Sequence, residues 1–183
     1  MRIQKTTIKD LLIIEPQYFE DERGYFFESY NKRKFYEMGL NYNFVQDNQS
    51  YSQFGVIRAL HYQLNPHSQA KLVRVLKGKI LDVAVDLRKG SPSFGKTFSV
   101  ILSNENKKQL LIPAGFAHGF SVLSNEAVVF YKCDKYYEKE FERGIIYNDK
   151  TLDIDWAIEA GESIVSQKDR GLAVFEKAEM NFE

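Results

Sequence analysis

Strand alternation would aim three chemically capable side chains, His61, Lys71 and Tyr131, at an apolar interior. Successive side chains of a β-strand point to opposite faces, so a polar residue in phase with apolar ones points where they point. Lys71 is in phase with Val73 and Val75, and Tyr131 with Ala127, Val129 and Cys133. His61 is in phase with Ile57, Ala59 and Gln63. An enclosed ammonium requires an anion, and an imidazole and a phenol are side chains that can move protons. The same alternation is met if each residue sits at a strand end with its polar tip in water, the lysine by snorkelling, so phase alone leaves both readings open. Under strict alternation Arg58 faces away from His61, and a site using both requires a bulge.

The elements that must hold these residues are mostly short apolar runs bounded by turn residues, the pattern of an antiparallel sandwich or barrel. Val56 to Gln63 alternates as a strand, as do Phe98 to Leu102, Gln109 to Ile112, Gly119 to Leu123 and Ala127 to Asp134. From Lys71 to Leu87, Lys77-Gly78-Lys79 separates two alternating runs and predicts a hairpin turning at Gly78. One short helix is expected after Asn31, with Phe35 and Met38 on one face and Gly39 as its end. A weaker helix signal lies near Trp156 to Ala160, with Asp155 as cap. No linker, repeat or low-complexity segment divides the 183 residues, so residues 1–183 are read as one domain.

Lys plus Arg total 25 and Asp plus Glu total 25, which leaves no global field to hold a nucleic acid and makes any anion site local. The longest apolar runs, such as Leu11 to Ile14, fall far short of the roughly 20 residues that cross a bilayer. The single cysteine, Cys133, cannot form an intramolecular disulfide, and Met1 to Ile14 lacks the zones of a signal peptide. A cytoplasmic protein with neither membrane nor nucleic-acid partner is the expectation.

Gly55 followed after five residues by His61, and later Pro113-x-Gly115-x-x-His118, resemble the two signature motifs of the cupin superfamily. Metal-binding cupins usually carry a second histidine two residues after the first and a glutamate soon after. Here Gln63 stands at that position with no acid nearby, and His67 follows Pro66 in a turn-like segment. No metal site is expected.

Longer strings resemble one family, the dTDP-4-dehydrorhamnose 3,5-epimerases, from about Phe19 to Asp169. They are Phe19-Glu20-Asp21-Glu22-Arg23-Gly24 with Phe27-Glu28, Val45 to Ser50, Arg58 to Gln63, Gln69 to Val75, Ile112 to Phe120, Tyr131-Lys132, and Lys168-Asp169. Ala59 departs from the family's usual glycine and adds a methyl beside the base. The resemblance implies an all-β fold, a cupin-type jelly-roll barrel with short flanking helices, working as a homodimer without cofactor. It implies conversion of dTDP-4-dehydro-6-deoxy-D-glucose, a dTDP-4-keto-6-deoxyhexose, to dTDP-4-dehydro-L-rhamnose, the precursor of L-rhamnose.

The resemblance also implies roles. His61 would be the base, oriented by Asp169; Lys71 would stabilise the enolate at the 4-keto oxygen; Tyr131 would donate a proton from the opposite face. Arg23 and Arg58 resemble nucleotide contacts. Glu28, the Gln46-Asp47-Asn48 segment, His118, Glu142 and Lys168 resemble further binding positions. Two other readings remain: an epimerase of one carbon, C3 or C5, or keto-isomerase of a related dTDP-sugar, and a catalytically silent sugar-nucleotide binding module.

Overall fold

Strands with one apolar face bury it most simply by pairing edge to edge and stacking face to face, and this chain does so in two sheets. The computed structural model describes residues 1–159 and 161–183. Numbered along the chain, β1 (Arg2–Lys5), β2 (Leu12–Glu15), β5 (Gln46–Gln53), β7 (Lys71–Lys77), β10 (Gln109–Ile112) and β12 (Glu126–Cys133) form one sheet in the order β1-β2-β10-β7-β12-β5. The facing sheet runs β13 (Glu142–Gly144), β6 (Val56–Gln63), β11 (Phe116–Val122), β8 (Lys79–Asp86), β9 (Thr97–Ser103). A short strand, β14 (Ile164–Val165), lies parallel to β6. A separate hairpin joins β3 (Tyr18–Asp21) to β4 (Gly24–Phe27). This is a jelly roll of the cupin type.

Val73, Val75, Ala127 and Val129 from the first sheet meet Ile80, Ala84, Phe116, Phe120 and Val122 from the second to fill the space between them. The phases of Lys71 and Tyr131 therefore hold. The outer face of the second sheet, with Val83, Val85 and Ala117, is covered by Ile145, Leu152, Trp156 and Phe182 of the C-terminal segment. The outer face of the first sheet, with Ile14, Leu72 and Leu111, is covered by α1 (Lys32–Glu37). Asn31 caps α1, its side chain accepting from Lys34 N at 3.2 Å. A six-residue helix is too short to stand alone. It is held by fully buried Phe35, worth about 1.5–3 kcal/mol.

Two expectations change. The runs flanking Gly78 are strands, but they do not pair as a hairpin: β7 bonds to β10 and β12, while β8 bonds to β9 and β11 in the other sheet. Gly78, at φ +81°, turns the corner between sheets, and a Cβ there would lie 2.0 Å from the Glu126 carbonyl oxygen. Alternation marks a strand's buried face but not which edge it pairs with, so a glycine turn suits either connection. Near Trp156, residues 156–159 are not helical. Asp155 caps only a local turn, accepting from Ala157 N at 2.8 Å, and Ala157 at φ +53° breaks any helical path. Ala160 lies outside the described residues.

Candidate active site

The site depends on an irregularity in β6. His61 pairs with His118 of β11 and Arg58 with Phe120, so Ala59 and Leu60 together oppose the single residue Gly119. Two residues against one is a β-bulge, and it reverses the strand's phase. Arg58, His61 and Gln63 thereby all face the cavity, while Ala59 and Leu60 turn to the outer core beside Ile57. The strict alternation that placed Ile57, Ala59 and His61 on one face is corrected, and the apparent conflict between Arg58 and His61 disappears. Gly119 allows the bulge to close: a Cβ there would lie 2.7 Å from both Ala59 Cβ and the Arg58 carbonyl oxygen.

A cavity of about 570 Å³ opens between the sheets, large enough for a small organic ligand. One wall carries Gln46 and Asn48 of β5, Lys71 of β7 and Tyr131 of β12. The other carries Arg58 and His61 of β6 and His118 of β11, and Glu142, Lys168 and Asp169 border it.

Asp169 lies in a short helix, α2 (Gln167–Arg170), whose cap Ser166 accepts from Asp169 N at 3.0 Å. Its Oδ1 is 3.2 Å from His61 Nε2, and its Oδ2 accepts from Ala59 N at 3.4 Å. Burial works to raise the Asp169 carboxyl pKa, but the bonds to His61, Ala59 and Ser166 outweigh it and keep the group ionised below the usual aspartate range. The carboxylate fixes the ring, as in a His–Asp pair of a hydrolase. The other ring nitrogen, Nδ1, is buried without a hydrogen-bond partner among the described residues and stands 4.0 Å from Glu142 Oε1.

Lys71 forms no ion pair among the described residues; its Nζ reaches only the His61 carbonyl oxygen, at 3.5 Å. Burial pushes its ammonium pKa down, partly opposed by Cys133, Asp82 and Glu142. An enclosed cation without a counter-ion is prepared for an incoming negative charge. The Tyr131 hydroxyl donates to no protein group among the described residues, and burial raises its pKa, which keeps the proton on it. Arg58 is anchored by Ser52 Oγ at 3.0 Å and the Tyr51 carbonyl at 3.2 Å. His118 Nε2 lies 2.8 Å from the wholly buried Asp82 Oδ1, a second His–Asp pair. Asp82 went unnoticed in the sequence although it is in phase with Ile80 and Ala84.

Three expected binding residues are not brought to this cavity. Asp47 alternates with Gln46 and Asn48, so it points outward and pairs with Lys132 at 2.9 Å. Arg23 sits at the exposed turn between β3 and β4, bonded to Asp21, and Glu28 bonds to Asn31 and Lys34. Residues that sequence reading passed over include Ser50, in phase with Gln46 and Asn48, and Tyr137, whose hydroxyl donates to Glu142 Oε2 at 2.8 Å. Tyr137 carries no periodic signal because it lies in a loop.

Gln63 donates to the His67 carbonyl at 2.6 Å and accepts from Glu138 N at 2.6 Å, so it fastens a loop. His67 packs its ring against Phe141, centroids 4.3 Å apart. Among the described residues no group of three His, Cys, Asp or Glu side chains could hold a metal ion, and no helix is long and apolar enough to cross a membrane.

Residues 5–177 match the family model described as dTDP-4-dehydrorhamnose 3,5-epimerase. The dTDP-4-dehydrorhamnose 3,5-epimerase of Shigella flexneri is 54% identical over 170 residues, covering 92% of this chain and 93% of that protein. The crystal structure of the enzyme of that name from Elizabethkingia anophelis is 54% identical with a TM-score of 0.92, covering 96% of this chain and 97% of that one. The dTDP-6-deoxy-D-glucose-3,5-epimerase of Legionella pneumophila, solved in complex with dTDP-4-keto-L-rhamnose, is 49% identical with a TM-score of 0.92 and coverages of 96% and 93%.

Proposed function

The chain belongs to the dTDP-4-dehydrorhamnose 3,5-epimerase family, and we propose that His61, Asp169, Lys71 and Tyr131 carry that reaction in the cavity between the sheets. The enzyme converts dTDP-4-dehydro-6-deoxy-D-glucose to dTDP-4-dehydro-L-rhamnose by inverting C3 and C5. Both carbons flank the 4-keto group, so loss of either proton leaves an enolate. His61, oriented by Asp169, removes the proton. Lys71 stabilises the charge gathering on the keto oxygen, a role for which its unpaired, enclosed ammonium suits it. Tyr131 returns a proton from the other side. No metal or cofactor is required, because the substrate's own carbonyl receives the electron pair.

The observation that carries this reading is the placement of base and acid on opposite walls: His61 on β6 of one sheet, Tyr131 on β12 of the other. Inversion requires removal and return on different faces of the sugar, and two walls supply them. Arg58, Gln46, Asn48, His118, Glu142 and Lys168 would hold the sugar and its pyrophosphate-linked nucleotide, Arg58 by forked bonds to phosphate oxygen.

Residues 1–183 act as one epimerase domain in this reading, and the working unit is a homodimer. A two-stranded hairpin is marginal alone, yet β3 and β4 expose Tyr18, Phe19, Tyr25 and Phe26 by 48–70%. A second copy would cover these rings, and Arg23 and Glu28 would then reach the neighbouring cavity rather than their own. A cytoplasmic setting fits the free Cys133 thiol and an activated sugar nucleotide as substrate.

The test is incubation with dTDP-4-dehydro-6-deoxy-D-glucose in deuterated water. Deuterium is expected at both C3 and C5; at one carbon only, the protein is a single-site epimerase. His61→Ala should abolish exchange and inversion together. Tyr131→Phe keeps the ring but loses the donor, so inversion should fall by about 10²- to 10⁴-fold while exchange falls less. Equal loss of both would remove Tyr131 from the acid role.

A further inference from the structure

Inverting one carbon leaves His61 with one proton more and Tyr131 with one fewer. A second inversion of the same bound sugar needs both restored. In the imidazolium each ring nitrogen carries a hydrogen. The one on Nε2 is met by Asp169 at 3.2 Å, but Nδ1, the nitrogen left to take the proton from carbon, has no hydrogen-bond partner among the described residues. The carboxylate that faces Nδ1 is Glu142, its Oε1 4.0 Å away, so a shift of about 1 Å would bring the two into hydrogen-bond contact. We propose that Glu142 is the proton outlet of the site, taking from His61 the proton removed from the first carbon and passing it to solvent before the second carbon reacts.

Asp169 is poorly placed for this task, because it is buried, 5% exposed, with Oδ1 on His61 and Oδ2 on the Ala59 amide. Glu142 leads outward. Its strand β13 lies at the sheet edge, with Glu142 opposite Gln63. Oε1 accepts from Lys168 Nζ at 2.7 Å and Oε2 from the Tyr137 hydroxyl at 2.8 Å. Both donors reach the surface, the Lys168 side chain 59% and Tyr137 49% exposed.

In the transfer the Nδ1–H bond breaks with its electron pair left on nitrogen, and an O–H bond forms at Glu142 Oε1. That O–H then breaks to water, the restored carboxylate returns to its bond with Lys168, and the Tyr131 phenolate takes a proton from water, so one proton leaves the site for each one that enters. Burial works to raise the Glu142 carboxyl pKa, but the bonds from Lys168 and Tyr137 outweigh it and hold it below the usual glutamate range. Glu142 thus begins each cycle as an acceptor and does not retain the proton.

The inference rests on His61 being the base. Glu142→Gln preserves side-chain size and the bond to Tyr137 but cannot carry a proton. In a single turnover in deuterated water, exchange at the second carbon should slow by roughly 10²-fold relative to exchange at the first, the low end for a lost proton-transfer group. Singly inverted sugar should accumulate, and a small diffusible base such as imidazole should restore much of the second step. Glu142→Asp, which keeps the carboxylate, should recover more than Glu142→Gln. A raised KM with unchanged kcat and no singly inverted product would make Glu142 a binding group only. Equal slowing of both carbons, without rescue by buffer, would make it a positioning residue. His61→Ala run alongside separates the two failures: exchange persisting there overturns the base assignment itself, whatever Glu142→Gln does.

Discussion

Gly119→Ala tests whether the bulge aims the catalytic residues. Gly119 has an ordinary backbone angle, so space rather than conformation excludes a side chain. The added Cβ would stand 2.7 Å from Ala59 Cβ, 2.7 Å from the Arg58 carbonyl oxygen and 2.9 Å from Ala59 Cα. Carbon atoms pack comfortably at about 3.5–4.0 Å, so β6 must retreat by about 1 Å around the bulge. Overpacking of this kind costs about 1–3 kcal/mol, which for a chain of this size lowers the melting temperature by roughly 2–12 °C. The same retreat moves Arg58 and His61, the two residues that flank the bulge. A 1 Å misplacement of a reacting group costs on the order of 10²-fold in rate.

The assay pairs a thermal melt with deuterium wash-in at C3 and C5. Ala59→Gly added to Gly119→Ala removes one of the three close contacts, so the double variant should regain part of both losses. A Gly119→Ala protein with the parent's melting temperature and turnover would refute the packing described here. A lowered melting temperature with full turnover would refute the link from bulge to site.

Lys71→Ala should lower kcat far more than it raises KM, by about 3 kcal/mol of barrier, since the ammonium acts once charge reaches the enolate oxygen; a change in KM alone would reduce Lys71 to a binding group. Asp86 tests the frame rather than the site. Burial would raise its carboxyl pKa, but bonds from Arg88, Ser91 and Ser93 hold it at about 2. A depressed folded value stabilises above the unfolded pKa of about 3.9, and that stability is lost as pH falls through the folded value. Asp86→Asn should therefore cost about 2 kcal/mol at neutral pH by chemical denaturation, with the gap to the parent closing between about pH 4 and pH 2; a gap constant with pH would mean lost packing instead. Dialysis against a strong chelator should leave turnover intact, and recovery of lost activity by one divalent ion would contradict the metal-free reading.

Much of the fold was legible because alternation is a local property of the strand. The inward phases of Lys71 and Tyr131 follow from the valines two residues along, and Val56 to Gln63 and Gln109 to Ile112 have the bounds read from the sequence. The helix signal at Asn31 and Phe35 is equally local. Strand β5 was not legible as a strand, since Gln46 to Gln53 is almost wholly polar; its inner face is lined by the cavity, where amides and hydroxyls replace apolar side chains. The ordered strings from Phe19 to Asp169 carried the family, and through it the candidate roles.

The amino-acid sequence by itself determined the all-β class, most strand positions, the likeness to the epimerases and the residues to watch. Tertiary structure decided that β7 and β8 part into different sheets, that Ala59 and Leu60 bulge over Gly119, that Asp47 points outward, and that Arg23 and Glu28 stand apart from their own chain's cavity. The physical reason is range. A side chain's face is set by the covalent geometry of neighbouring residues, whereas pairing partner, bulge and cavity are set by contacts between residues far apart in sequence, such as Gly119 against Ala59 and Asp169 against His61.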